Sequence, residues 1–191
     1  AAFDNDGTLW CEQPVYFQAE FIRDRILALA KDHPEWKTEQ PYQAILENDR
    51  QALADVGEAG LVKLIAATHA GMTTEAFDKL VKRWFATARH PRFERPYNQL
   101  VYQPMLELLA YLRANGFKTF IVSGGGQEFI RAFAPEAYSI PPEQIVGSSG
   151  KLQYELNEAG EPVIMRLPEI EFIDDGPGKP VGIQKFIGHR P

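Results

Sequence analysis

Between Pro104 and Phe133 the chain spells out an order that few folds accept. Pro104 is a good first helical residue, Met105, Leu106, Leu108, Leu109 and Leu112 recur at helical spacing, and Gly116 supplies a C-terminal cap. Phe117 to Val122 is then an apolar run of strand length that enters Ser123-Gly124-Gly125-Gly126, and Gln127 to Phe133 resumes the helical period. Helix, glycine, buried strand, glycine loop and second helix is the order that parallel strands joined by crossover helices require. The expected fold class is therefore α/β, with a parallel sheet.

The first residues fit the same sheet. Ala1, Ala2 and Phe3 form an apolar lead-in that stops at Asp4, as a strand buried on both faces does where it leaves the sheet. Gly7 permits a sharp exit. Residues two apart on extended chain point to one side, so Asp4 and Asp6 aim their carboxylates into one small volume. Two adjacent anions repel: either one stays protonated or a cation sits between them, and Mg²⁺ suits carboxylates that leave room for waters and a phosphate. The alternative is an Asx-type turn in which Asp4, Asn5 and Asp6 cap backbone N–H groups.

Two later stretches read in two ways. Ser123-Gly124-Gly125-Gly126, running from a strand into a helix start, offers backbone N–H groups and a hydroxyl to a phosphate, or is a plain strand-to-helix turn. Lys179 opens the last helix after the tight loop Asp174-Asp175-Gly176-Pro177-Gly178; by residue type alone it would be a solvated surface lysine.

From Phe17 to about Arg95 the pattern gives four helices and no convincing strand, which marks an inserted helical module. These are Phe17 to Ala30, a segment from Pro41 through Ile45, Leu46, Leu53 and Val56, a short helix over Leu61 to Thr68, and a helix behind Thr73-Thr74-Glu75 whose stripe is Phe77, Leu80, Val81, Trp84 and Phe85. That aromatic stripe reads as core. Ile145-Val146-Gly147 is a candidate strand, and Leu152 to Leu156 with Val163 to Leu167 reads as a β-hairpin turned over Asn157 to Gly160.

Composition removes some partners. The formal net charge of −6 and the lack of a Lys/Arg cluster on a predicted face argue against nucleic acid. No apolar run is long enough to span a membrane, and the single cysteine, Cys11, excludes an intrachain disulfide. The chain begins without Met and almost on its acidic motif, so upstream sequence is expected, and the compartment, cytoplasmic or periplasmic, stays open.

Taken together, Asp-x-Asp-Gly-Thr at Asp4 to Thr8, Ser-Gly-Gly at Ser123 to Gly125 and Lys179 with Ile183, with helices inserted behind the first motif, resemble the haloacid dehalogenase-like superfamily of phosphohydrolases. The nearer likeness is to the phosphoserine-phosphatase-type acid phosphatases with a helical cap. The resemblance implies a Rossmann-like parallel sheet core over 1–16 and 97–191, incomplete at both ends, and an all-α cap over 17–96. It implies that Asp4 is the nucleophile and a Mg²⁺ ligand, and that Asp6 is the general acid/base and gives the metal its backbone carbonyl. Ser123 with the Gly124 and Gly125 amides holds the phosphate, and Lys179 screens charge. The phosphoserine phosphatases place a substrate-recognising Glu where this chain has Gln13, with Glu12 one step before, so Glu12 and Gln13, with Trp10 and His69, are candidates for substrate selection, and His69 also reads as a structural histidine. A third acidic metal ligand is expected beyond Pro191.

The residue chemistry agrees. A carboxylate that attacks phosphorus splits hydrolysis into two displacements, and a second carboxylic acid in reach protonates the leaving alkoxide. The dehalogenases have no acid at the position of Asp6, which favours a phosphatase. The expected function is Mg²⁺-dependent phosphomonoester hydrolysis through an aspartyl-phosphate, acting on a small phosphorylated metabolite. The alternative is a non-catalytic phospholigand-binding or regulatory module of the same fold that lacks the last metal loop.

Overall fold

The computed structural model describes the backbone of residues 1–191 and every side chain except that of residue 58. The elements, in order, are β1 (Ala2–Phe3), α1 (Phe17–Leu29), α2 (Tyr42–Glu47), α3 (Arg50–Ala54), α4 (Gly57–His69), α5 (Thr74–Thr87), α6 (Gln103–Ala114), β2 (Phe120–Gly126), α7 (Gln127–Arg131), α8 (Ala134–Tyr138), β3 (Ile145–Leu156), β4 (Pro162–Phe172) and α9 (Gly178–Gly182). The sheet runs β1-β2-β3-β4. β1 pairs parallel to β2, with Phe3 beside Ile121, and β2 pairs parallel to β3, with Val122 beside Val146 and Ser123 beside Gly147. This is the expected α/β fold, and its register sets Asp4 just past the end of β1 near Ser123 on β2.

Two compact units divide the chain: residues 1–18, 75–149 and 171–191 in the first, and residues 19–74 and 150–170 in the second. These bounds do not follow the lines drawn at 16/17 and 96/97. The physical reason lies in α5, whose stripe of Phe77, Val81, Trp84 and Phe85 is buried. Phe85 packs on Trp10 and Phe133 with ring centroids 6.2 and 5.1 Å apart, and Trp84 stacks on Tyr97 at 4.8 Å. Trp10, 1% exposed, stacks on Phe133 at 4.3 Å. Trp10 is thus a core residue of the first unit, joined to Phe17 and Phe85 in one aromatic cluster.

The second unit carries α2 to α4, most of α1 and the far parts of β3 and β4. Phe21 and Ile26 of α1 are fully buried, and Trp36 stacks between His33 and Tyr42 at 4.2 and 4.4 Å. The single segment expected from Pro41 is two helices, because Asn48 takes a left-handed conformation (φ 54°) and Asp49 caps the next helix by accepting from the Gln51 and Ala52 amides. Ile145 to Gly147 and the hairpin arm from Leu152 are one continuous strand. The hairpin closes over Asn157, whose side-chain oxygen accepts from the Ala159 and Glu161 amides, with Gly160 at φ +77°. β4 also meets the end of α4: Gly71 N donates to Arg166 O and Arg166 N to Met72 O, both at 2.9 Å.

Candidate active site

The loop that follows β1 is wound around one buried residue. Asn5 is 1% exposed; its carbonyl accepts from the amides of Thr8 and Leu9 at 3.2 and 2.8 Å, and its side-chain oxygen accepts from the Tyr138 hydroxyl. Gly7 turns the chain at φ +69°, a conformation that costs any residue with a Cβ. With Asn5 pinned inward, Asp4 and Asp6 stand on either side of it. Asp4 Oδ1 accepts from the Asn5 amide at 2.8 Å, the one Asx-type contact of the pair, while Asp6 Oδ1 accepts from the Trp10 indole at 2.8 Å.

Asp4 Oδ2 has a different partner. Lys179 Nζ, 175 residues away in sequence, donates to it at 2.6 Å. The Lys179 side chain is 27% exposed and that of Asp4 42%, so the pair lies at a surface reachable by a ligand. Lys179 stands one residue into α9, where the tight loop before it directs the ammonium back over β1. The default of a solvated lysine does not apply here. Asp6 sits deeper: burial pushes its carboxyl above the ordinary carboxylate range, the Trp10 indole opposes that, and the nearby Asp4 and Glu12 charges reinforce it.

The Ser123-Gly124-Gly125-Gly126 stretch remains strand to its end, and α7 behind it has five residues. A helix dipole therefore contributes little, and any anion held here is held by local amides and the hydroxyl. Ser123 is 1% exposed, and its Oγ accepts from the Gly125 amide at 3.2 Å. Two of the glycines make room for protein rather than open space. A Cβ on Gly124 would lie 3.1 Å from Asp175 Oδ1, and one on Gly126 would lie 2.6 Å from Gln18 Nε2; Gln18 Oε1 accepts from the Gly126 amide at 2.7 Å.

Asp174 is the residue that sequence reasoning passed over. It is fully buried, and neither carboxylate oxygen has a hydrogen-bond partner. Burial raises its pKa to about 6; the Lys179 charge opposes the rise, and Asp4 and Asp175 add to it. Asp174, Lys179, Asp4 and the Ser123 loop are thus gathered at one end of the sheet. In the sequence the only sign was an Asp-Asp pair inside a Gly- and Pro-rich loop, which reads as turn chemistry.

The remaining candidates lie further out. Glu12 is half-buried beside Gly7, close enough that a Cβ there would meet its carboxyl group at 2.8 Å. Gln13 is exposed; its carbonyl accepts from His90 Nε2 at 2.7 Å. His69, in the second unit, is 4% exposed, with Nδ1 2.7 Å from the Thr68 hydroxyl. Burial, then the Arg166 and Arg25 charges, lower its pKa to about 3, so it is a neutral structural histidine at physiological pH.

An anionic carboxylate in ion-pair contact with an ammonium, a second carboxyl group whose pKa is raised, and a hydroxyl at a glycine turn are the parts of a phosphoryl-transfer site. The donors also suit a hard cation. The repulsion between Asp4 and Asp6 is what such an ion relieves, and both residues bring oxygen ligands. Among the described residues no group of three or more His, Cys, Asp or Glu is placed to hold a metal. No helix among them is long and apolar enough to cross a membrane.

A crystal structure of a protein of unknown function from Bordetella pertussis Tohama I is 16% identical with a TM-score of 0.56, covering 98% of this chain and 73% of that one, and shows the shared fold. A phosphoserine phosphohydrolase-like protein from Francisella tularensis is 20% identical over 98% of this chain and 71% of that one, with a TM-score of 0.48. Cytosolic 5'-nucleotidase IIIB bound to cytidine is 13% identical over 91% of this chain and 53% of that one, with a TM-score of 0.42. No curated protein matches the chain. Residues 1–162 match the family described as haloacid dehalogenase-like hydrolase, and the chain belongs to that family.

Proposed function

We propose that the chain hydrolyses phosphomonoesters of small metabolites through an aspartyl-phosphate on Asp4. The observation that carries this reading is the 2.6 Å contact between Lys179 Nζ and Asp4 Oδ2, which places a fixed positive charge beside the one exposed carboxylate of the motif. Asp4 attacks phosphorus and the bond from phosphorus to the ester oxygen breaks. Asp6, whose pKa burial raises, gives a proton to the leaving alkoxide. Water then attacks the aspartyl-phosphate, Asp6 takes back a proton, and phosphate leaves. Lys179, the Ser123 hydroxyl and the Gly124 and Gly125 amides offset the charge on the phosphoryl oxygens.

Mg²⁺, held by the Asp4 carboxylate and the Asp6 backbone carbonyl, would supply further positive charge at the phosphoryl group. Every catalytic residue of this reading lies in residues 1–16 or 97–191, and Glu12 and Gln13 select the substrate. The test is hydrolysis of p-nitrophenyl phosphate with Mg²⁺ by the wild-type protein and by Asp4→Asn. Activity that depends on Asp4 is the expected result, and activity that survives the substitution overturns the reading.

A further inference from the structure

None of Gly124, Gly125 and Gly126 takes a positive φ, and Gly126 stands at φ −66°, ψ 124°, a conformation open to any residue. What forbids a side chain at Gly126 is space, and Gln18 fills it. Gln18 Oε1 accepts from the Gly126 amide at 2.7 Å, and a Cβ on Gly126 would lie 2.6 Å from Gln18 Nε2. A Cβ on Gly125 would lie 3.5 Å from the same Oε1. Gln18 precedes Gly126 by 108 residues, and its neighbour Phe17 is what holds it there. The Phe17 ring is fully buried and packs on Trp10 and Tyr97 with centroids 4.6 and 4.7 Å apart, which fixes the first turn of α1 and leaves Gln18 on the glycine turn.

The turn that Gln18 meets is a break in the ladder. Pairing between β2 and β3 steps from Ser123 beside Gly147 directly to Gly126 beside Ser148, so Gly124 and Gly125 stand out as a two-residue bulge. A Cβ on Gly147 would lie 2.8 Å from Gly125 O and 2.9 Å from Gln127 N, so the bulge rests closely on β3. Within it the Gly125 amide donates to Ser123 Oγ at 3.2 Å, and from β3 the Ser148 hydroxyl donates to Gly124 O at 2.8 Å. The tie from Gln18, at 2.7 Å, is the shortest of the three. Consecutive glycines have wide backbone freedom, and ties of this kind decide which shape they keep.

We propose that Gln18 is a positioning residue for the phosphate-binding turn: by accepting from the Gly126 amide it holds the Gly124-Gly125 bulge in the shape that presents its amides and the Ser123 hydroxyl to phosphoryl oxygens. The proposal rests on the phosphomonoesterase reading above. Gln18 acts through the turn, so its effect falls on the group that inorganic phosphate and every phosphate ester share.

The test uses the wild-type protein, Gln18→Ala, Gly126→Ala, the two combined, and Asp4→Asn. Inorganic phosphate binding is measured by isothermal titration with Mg²⁺ present, and kcat and KM are measured for p-nitrophenyl phosphate and for an alkyl phosphate. Gln18→Ala should weaken phosphate binding about 10-fold, the scale of one hydrogen bond that orders a site. It should raise KM for both esters by about the same factor and leave kcat within about threefold, because the turn holds the phosphoryl oxygens in ground state and transition state alike. Gly126→Ala should push the end of Gln18 aside and weaken phosphate binding to a similar extent. In the Gln18→Ala background it should add little, since nothing is left to displace. If Gln18→Ala does not fold, Gly126→Ala decides by the same readings.

Wild-type phosphate affinity in Gln18→Ala or Gly126→Ala, a loss on one ester and not the other, or losses from the two substitutions that multiply independently would each overturn the role of Gln18. Hydrolysis that persists in Asp4→Asn rejects the phosphomonoesterase reading itself. Hydrolysis lost in Asp4→Asn with phosphate binding untouched by Gln18→Ala rejects the positioning role alone.

Discussion

Lys179 Nζ and Asp4 Oδ2 are 2.6 Å apart across 175 residues of chain, and both side chains retain access to solvent. At a surface such a pair contributes little to stability, about 1 kcal/mol or less. Its value lies in placing charge. Lys179→Met should therefore leave the folded state within about 1 kcal/mol of wild type, while kcat for p-nitrophenyl phosphate falls about 10²- to 10³-fold, the scale for loss of one electrostatic stabiliser. Thermal unfolding beside steady-state kinetics checks both halves, and a large loss of stability with a small loss of rate would reverse the assignment.

Asp6 and its indole partner make a second prediction. A group that protonates the leaving oxygen matters most when that oxygen is basic. In the first step, read as the rate at which Asp4 is phosphorylated in a single turnover, Asp6→Asn should slow an alkyl phosphate by about 10²- to 10⁴-fold and slow p-nitrophenyl phosphate much less, because nitrophenolate leaves without a proton, while the water step that follows is slowed alike for both. Equal losses on the two substrates in that first step would show that Asp6 does something other than general acid catalysis.

The approach of Lys179 to Asp4 was legible in the order of the motifs, and so was the α/β sheet, since Pro104, Gly116 and the apolar run into Ser123 each act locally and agree with one another. What the sequence hid are effects of distant packing. Gln18 sits on Gly126, and nothing in its spacing says so. The stripe of α5 belongs with Trp10 and Phe133 because aromatic faces found each other across long stretches of chain. Asp174 looked like turn chemistry because burial is a property of the fold, not of Asp-Asp-Gly-Pro-Gly. The break at Asn48 was there to be read: Asn followed by Asp is a left-handed stop and a new cap.

Acid should act on the second unit through His69. Its pKa is lowered from 6.5 to about 3 on folding, so below about pH 6.5 the unfolded chain binds the proton that the folded one refuses. Stability then falls as pH drops through that window, by about 1.4 kcal/mol per pH unit for this one group. Asp174 has the opposite sign: its pKa is raised from 3.8 to about 6, so its contribution improves as pH falls between those values. The two slopes oppose each other there. Asp174→Asn should accordingly show a steeper acid loss than wild type in denaturant titrations at pH 4 to 6, and the His69 ring signals should stay those of the neutral form down to about pH 4. A His69 that protonates near pH 6.5 would contradict this.

Gly182 is the cheapest place to disturb the whole site from behind. Its added Cβ would stand 2.3 Å from Asp174 Oδ1, with Val146 closing the other side, so something must move. Gly182→Ala should cost about 1–3 kcal/mol, as overpacking of a filled interior does, and should lower kcat as well, because α9 carries Lys179. Retained activity in a destabilised Gly182→Ala protein would show that the position of α9 does not control the ammonium.

If Asp4 is the nucleophile, it is the residue that becomes phosphorylated during turnover. The direct measurement is to quench the wild-type protein in acid during turnover and locate the added phosphoryl group by peptide mass spectrometry. The expected result is a phosphoryl group on Asp4, released by hydroxylamine as an acyl phosphate is, and absent from Asp4→Asn. A phosphoryl group on Ser123, or turnover with none on Asp4, would contradict it.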